Sequence, residues 1–146
     1  MAIENTIDKS VKGKIVSKRI MQLILGLIGI FTLYTAYLGF AYGAVNWYYG
    51  FPDGQKYSKG LLLLDSNLRF YSGLWLGIGI IILWQIPRIA RDKMTLRVIA
   101  LFFFLGGIGR LISILTCGLP SYTYLAFVLL ELGFPLLIFW QKSILE

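Results

Sequence analysis

Two charged residues stand inside long apolar stretches of this sequence, and they are its first candidates for chemistry. Arg110 lies within FFFLGGIGRLIS, and Glu131 lies within LAFVLLELGFP. A single charged side chain at the centre of a bilayer costs about 3 kcal/mol or more, so such residues normally face the protein interior and pair. We therefore predict an ion pair between Arg110 and Glu131.

Pro135 is expected to add a hydrogen-bond acceptor beside this pair. It follows Glu131 by four residues and has no N–H, so the Glu131 carbonyl loses its usual helical donor. We expect the helix to kink here. We also expect Arg110, whose planar guanidinium carries five donors, to bind both the carboxylate and this carbonyl.

A second polar cluster lies in LLLLDSNLRFYSG, residues 61–73. If a helix begins near Asp65, this residue is a candidate N-cap, and Arg69 shares its face. Together the two clusters predict one polar pocket in the outer half of a helix bundle. The predicted ligand-binding residues are Asp65, Asn67, Arg69, Arg110, Ser113 and Glu131.

Three interpretations of these polar residues remain open. They form a clamp that fixes the register of the helices, or a pocket for a lipid headgroup or another amphipathic molecule, or a catalytic site with Glu131 as acid or base. A carboxylate held by an arginine suits a counter-ion better than a proton donor, which makes catalysis the alternative rather than the main hypothesis.

The composition indicates a membrane protein, because 58% of the 146 residues are hydrophobic and only 14% are charged. A soluble domain has about 25% charged residues. The apolar residues form blocks of the length, about 20 residues, that a spanning helix needs. We predict an all-α, antiparallel bundle of four transmembrane helices. The predicted spans are about 20–42, 68–86, 98–117 and 122–141.

The basic residues predict the orientation of these spans. Five Lys or Arg residues lie in 1–19, four in 87–97 and one in 142–146, against three in the connection around 43–69. The positive-inside rule then places both termini in the cytoplasm. Because the basic residues flank the spans, no nucleic-acid partner is expected. The predicted organisation is a basic N-terminal segment 1–19, a transmembrane domain 20–141 and a tail 142–146.

The absence of histidine and the single cysteine, Cys117, restrict the possible chemistry. They exclude an imidazole-bound haem, a histidine-ligated metal, a Ser-His-Asp triad and an internal disulfide. We expect no cofactor and no metal. The expected partners are membrane lipids and possible larger membrane complexes that contact the outer loop 43–67.

Small residues at helical spacing predict where the helices approach each other closely. We expect intrachain packing through these faces, with a homodimer as the alternative. The predicted small faces are Gly29, Thr32, Ala36, Gly39 and Gly43 on the first helix, Gly73 and Gly77 on the second, and Gly106, Gly109 and Ser113 on the third.

The segments NLRFYSGLWLGIG, FLGGIGRLIS and ELGFP resemble signature segments of an uncharacterised family of small bacterial four-helix membrane proteins, a domain of unknown function. The resemblance covers about residues 20–141, and there is a looser similarity to DoxX-like membrane proteins. The resemblance implies the four-span fold and a bacterial inner-membrane location. It also implies that Asn67, Arg69, Arg110 and Glu131 occupy the family's polar positions. It implies no activity.

The expected function is therefore that of a non-enzymatic integral membrane protein. It binds a lipid-like ligand in the polar pocket, acts as an accessory subunit of a membrane complex, or does both. The alternative is a small membrane enzyme that acts on a lipid substrate with Glu131 as acid or base.

Overall fold

The computed structural model describes residues 2–44, 59–119 and 122–145, with side chains described from residue 11 onward. Every regular element in these ranges is helical, and a short 3-10 turn at Ile86–Arg88 follows the second helix. The helices are α1 (Ala2–Gly43), α2 (Lys59–Gln85), α3 (Lys93–Cys117), α4 (Tyr122–Gly133) and α5 (Leu136–Leu145).

Three of these helices are long and apolar enough to cross a membrane. The qualifying parts are Val11–Gly43, Lys59–Arg88 and Lys93–Cys117. Helices α4 and α5 qualify together as a fourth span that is bent by 41°. Over the residues that the structure describes, the chain is thus all-α and has three helices suited to span a membrane, or four spans when the bent pair counts as one, as in a multi-pass membrane protein.

The helices extend beyond the predicted spans. At 1.5 Å per residue, the 42 residues of α1 measure about 63 Å, roughly twice the thickness of the hydrocarbon. Hydropathy marks only the part of a helix that is suited to lipid, whereas backbone hydrogen bonding continues through polar flanks. As a result α1 continues across the predicted boundary at residue 19, and α5 continues across the one at residue 141.

The chain forms two compact units, each of which is described by itself. The α1–α2 unit comprises Leu23–Ile86, and the α3–α5 unit comprises Met1–Gln22 together with Pro87–Glu146.

In the α1–α2 unit, the small residues of α1 form the contact with α2. A Cβ atom added to Gly29 would lie 2.6 Å from Cδ2 of Leu83, and one added to Gly39 would fall on the hydroxyl of Ser72. Thr32 and Ala36, which lie between the two glycines, are fully buried. The predicted small face of α1 is therefore confirmed.

The predicted small face of α2 is wrong in its register. Gly77 has no neighbour within 4 Å of an added Cβ, and Gly73 has only Phe40, at 3.9 Å. The close approach occurs instead at Gly79, where an added Cβ would lie 2.7 Å from Cδ2 of Leu33, and at the buried Ser72. The small positions on α2 that face α1 are therefore Ser72 and Gly79.

In the α3–α5 unit, α3 packs against α4 and α5. The predicted kink is present as the break between α4 and α5, where Phe134 and Pro135 separate the two helices. The ring of Phe134 stacks on that of Phe103 of α3, with 4.2 Å between the ring centroids, and both rings are buried. Packing against α3 therefore holds the bend in place.

Polar contacts join the ends of the helices in this unit. Gln141 of α5 is buried, and its amide donates to the carbonyls of Ile89 and Asp92, at 2.7 and 3.0 Å. Trp140 Nε1 donates to the hydroxyl of Ser17 on α1, at 2.7 Å. The first half of α1 and the loop before α3 are both anchored to α5 in this way.

Asp92 is the N-cap of α3. Its Oδ1 accepts from the backbone N–H groups of Met94 and Thr95, both at 3.0 Å, and its Oδ2 accepts from the Thr95 hydroxyl. The Thr95 hydroxyl, followed by the Thr95 N–H, holds the pKa of Asp92 below its usual 3.8. The carboxylate thus satisfies donors that the first turn of a helix otherwise leaves unpaired.

We expect Asp92→Ala to lower the free energy of unfolding in detergent by about 1 kcal/mol through loss of this cap. Because the pKa of Asp92 is lower in the folded than in the unfolded protein, the charged cap stabilises the fold above pH 3.8. This stabilisation disappears as the pH falls through the folded value, which lies below 3.8. Thermal unfolding followed by circular dichroism should therefore show a steeper acid loss in the native protein than in Asp92→Asn. Equal acid losses in the two proteins would contradict this assignment.

Candidate functional site

The predicted ion pair between Arg110 of α3 and Glu131 of α4 is present. Nε of Arg110 donates to both carboxylate oxygens of Glu131, each at 3.0 Å. The Glu131 side chain is only 10% exposed, whereas 40% of the Arg110 side chain is exposed. The Glu131 side chain is thus largely enclosed, whereas that of Arg110 is partly open.

Glycines of α3 let α4 approach closely enough for this pair to form. A Cβ atom added to Gly107 would lie 3.0 Å from Cδ2 of Leu132 and 3.1 Å from Cβ of Glu131. One added to Gly109 would have no neighbour within 4 Å. The prediction that Gly109 lies at the contact is therefore wrong, because Gly107 occupies that position.

Two aromatic rings of α4 flank the Arg110 guanidinium. Its Cζ lies 5.7 Å from the centroid of the Tyr124 ring and 5.9 Å from that of Phe127. A cation over a ring face at this distance gains about 0.5–2 kcal/mol, depending on its exposure to solvent. Neither ring was among the predicted site residues. Both precede Glu131 by helical spacing, seven and four residues, so they share its face of α4.

The prediction that Arg110 also binds the Glu131 carbonyl is wrong. That carbonyl accepts from the backbone N–H of Phe134, at 3.3 Å. The usual donor to this carbonyl would be the residue four positions after Glu131, but Pro135 has no N–H. The last turn of α4 therefore tightens, and Phe134, three positions after Glu131, donates instead.

In the α1–α2 unit, Asp65 and Arg69 form a second ion pair, with 2.8 Å between Arg69 Nε and Asp65 Oδ2. Lys59 begins α2, so Asp65 lies inside that helix and the N-cap prediction is wrong. The helix begins six residues before the predicted start at Asp65, because the apolar run from Leu61 to Leu64 is part of it.

This second pair caps the C-terminal end of α1 instead. The Asp65 Oδ1 accepts from the Ala44 N–H, at 2.8 Å, and Arg69 Nη1 donates to the carbonyls of Phe40 and Ala41, at 2.6 and 3.3 Å. The last carbonyls of a helix lack partners and carry partial negative charge, so a cation is favourable there. Gly43 adopts φ 62°, the left-handed conformation that commonly ends a helix at glycine.

The remaining two predicted ligand-binding residues, Asn67 and Ser113, are exposed. Asn67 follows Asp65 by two residues, which places it about 200° around α2, away from the capping pair. Ser113 lies one turn beyond Arg110 on α3. The structure thus brings together Asp65 with Arg69, and Arg110 with Glu131. A common pocket requires residues of both units and stays a prediction.

The family described as "Domain of unknown function (DUF4345)" matches residues 20–141 of this chain. The chain belongs to this family. The DUF4345 match includes both ion pairs and excludes the basic segment 1–19. The predicted membership in an uncharacterised family is confirmed, while the looser resemblance to DoxX-like proteins is not shown. No curated protein and no solved structure matches the chain.

Proposed function

We propose that this DUF4345 protein is a non-enzymatic, multi-pass protein of the bacterial inner membrane that binds one lipid-like molecule at Arg110. One observation carries the proposal: the side chain of Arg110, within a membrane span, is 40% exposed, although that of its partner Glu131 is only 10% exposed. A pair that serves only as a clamp gains from enclosing both charges, because unpaired donors in hydrocarbon are unfavourable. A bound polar headgroup would cover the open side of Arg110.

The proposed orientation places this site in the outer half of the membrane. Ten basic residues on one side of the spans, against three on the other, favour cytoplasmic termini by the positive-inside rule. Arg110 lies seven residues, or roughly 10 Å, from the Cys117 end of α3, which would be the outer end. A lipid of the outer leaflet could reach this depth with its polar group.

The accessory-subunit role is proposed together with ligand binding. Its predicted contact region is the outer loop 43–67, of which residues 45–58 lie outside the described residues. The Asp65–Arg69 pair supports this role, because it fixes the end of α1 from which the loop departs.

Native mass spectrometry of the full-length protein in mild detergent tests ligand binding. We expect one lipid-like molecule per chain to copurify with the native protein, and Arg110→Ala to lose it. Arg97→Ala is the matched control, because Arg97 is exposed near the other end of α3. If neither the native protein nor the control carries a molecule in any mild detergent, the proposal is wrong.

The enzymatic alternative makes a different prediction. If Glu131 is an acid or base, incubation of the protein with bacterial lipid extract should convert one component, and Glu131→Gln should abolish this conversion. The bond from Arg110 Nε to both oxygens of Glu131 favours a counter-ion instead. We expect the extract to be chemically unchanged.

A further inference from the structure

The guanidinium of Arg110 retains most of its hydrogen-bonding capacity. Its Nε hydrogen is shared between the two oxygens of Glu131. Among the residues that the structure describes, none accepts a hydrogen bond from Nη1 or Nη2, which together carry four hydrogens. A ligand oxygen would find unused donors on this side of Arg110.

The surroundings of these donors favour an amphipathic ligand. The ring centroids of Tyr124 and Phe127 lie within 6 Å of the guanidinium carbon of Arg110, so the guanidinium is flanked by apolar surface. Both rings are only half-buried, so part of this apolar surface is accessible beside the guanidinium. A molecule with one oxygen-bearing head and an apolar chain fits both features.

The charges in the spans are already balanced without a ligand. Arg110 is neutralised by Glu131, and Arg69 by Asp65, which lies three residues before the second predicted span. The predicted spans 20–42, 68–86, 98–117 and 122–141 contain no further charged residue. An anionic head at Arg110 would therefore leave an unbalanced negative charge in a medium where charge is unfavourable, whereas an uncharged oxygen acceptor would not.

We infer that the ligand of the proposed site presents an uncharged carbonyl oxygen, as in an ester, amide or ketone, to Nη1 and Nη2 of Arg110. This inference rests on the proposed function and specifies its ligand class. An amphiphile with an anionic head is excluded by the Glu131 carboxylate, which already neutralises the arginine. Glu131 thus acts as a selectivity residue that sets which charge the site accepts.

Oleamide and oleate test this inference, because they share one acyl chain and differ in the charge of an almost isosteric head. The purified full-length protein is mixed with equal amounts of both in mildly alkaline buffer, where oleate is ionised, and the complexes are counted by native mass spectrometry. We expect the native protein to prefer oleamide by about tenfold or more. Glu131→Gln leaves Arg110 with its charge unbalanced, so the preference should reverse toward oleate.

Equal binding of the two probes by the native protein, or a preference for oleate, would overturn the inference without any variant. If Glu131→Gln unfolds, Glu131→Asp, which keeps the negative charge, should retain the preference for oleamide. If the native protein binds neither probe but still carries an endogenous molecule that Arg110→Ala loses, the proposed function stands and the inference fails. If it carries no such molecule, both fail.

Discussion

Replacing Arg110 with alanine should lower the free energy of unfolding by about 3 kcal/mol, the largest loss that we expect from a single change in this chain. This loss is large because the variant keeps the Glu131 carboxylate without its partner. Glu131 is 10% exposed and accepts only from Arg110 Nε among the described residues, so removing the arginine leaves an uncompensated charge. Reversible unfolding in mixed micelles, followed by circular dichroism, measures this loss.

A double-mutant cycle separates this charge effect from lost packing. We expect the neutral pair Arg110→Gln with Glu131→Gln to stay within about 1 kcal/mol of the native protein, because neither amide leaves a buried charge. Arg97→Ala, an exposed arginine on the same helix, should change the free energy of unfolding by less than about 0.5 kcal/mol. If the double variant is as unstable as Arg110→Ala, the two residues do not act as a pair.

Gly39→Ala should lower the free energy of unfolding by about 2 kcal/mol relative to Gly77→Ala. A Cβ atom at Gly39 would fall on the buried Ser72 hydroxyl, whereas one at Gly77 would meet nothing within 4 Å. Both changes raise helix propensity by the same amount, so their difference reports packing alone. In lipid, close helix contact at small residues replaces much of the hydrophobic driving force.

A second-site change checks the cause of that loss. Ser72→Gly removes the hydroxyl that an alanine at position 39 would meet, so it should restore much of the stability of Gly39→Ala. The same unfolding measurement in micelles applies. Equal losses for Gly39→Ala and Gly77→Ala, or no recovery with Ser72→Gly, would show that α1 and α2 do not meet at this point.

The features predicted correctly from the sequence follow from the chemistry of single residues. Arg110 and Glu131 had to pair, because each alone is costly in hydrocarbon. Pro135 had to disturb the fourth helix, because it lacks an N–H. The stripe from Gly29 to Gly43 extends over four turns, and a pattern of that length fixes one face of a helix without knowledge of its neighbour.

The errors concern registers and boundaries that depend on neighbouring elements. In GGIG, Gly106 and Gly109 share one face of α3 and Gly107 lies on another, and only the positions of Glu131 and Leu132 on α4 select Gly107 as the closest approach. Asp65 resembles an N-cap in sequence, but the first turns of α2 precede it, and its partners are the Ala44 N–H and Arg69. Tyr124 and Phe127 were recognisable by spacing from Glu131, yet aromatic residues on a membrane helix are too common for spacing alone to single them out.

The residues that terminate α1 lie outside the stretch 45–58 that follows it. Gly43 supplies the turn, and Asp65 and Arg69 of α2 bind the exposed backbone groups of the final turn. The sequence of residues 45–58 is therefore not needed to end that helix. We therefore expect that changes in the length and composition of this stretch leave the end of α1 intact, so that a recognition element there would not disturb the α1–α2 contact.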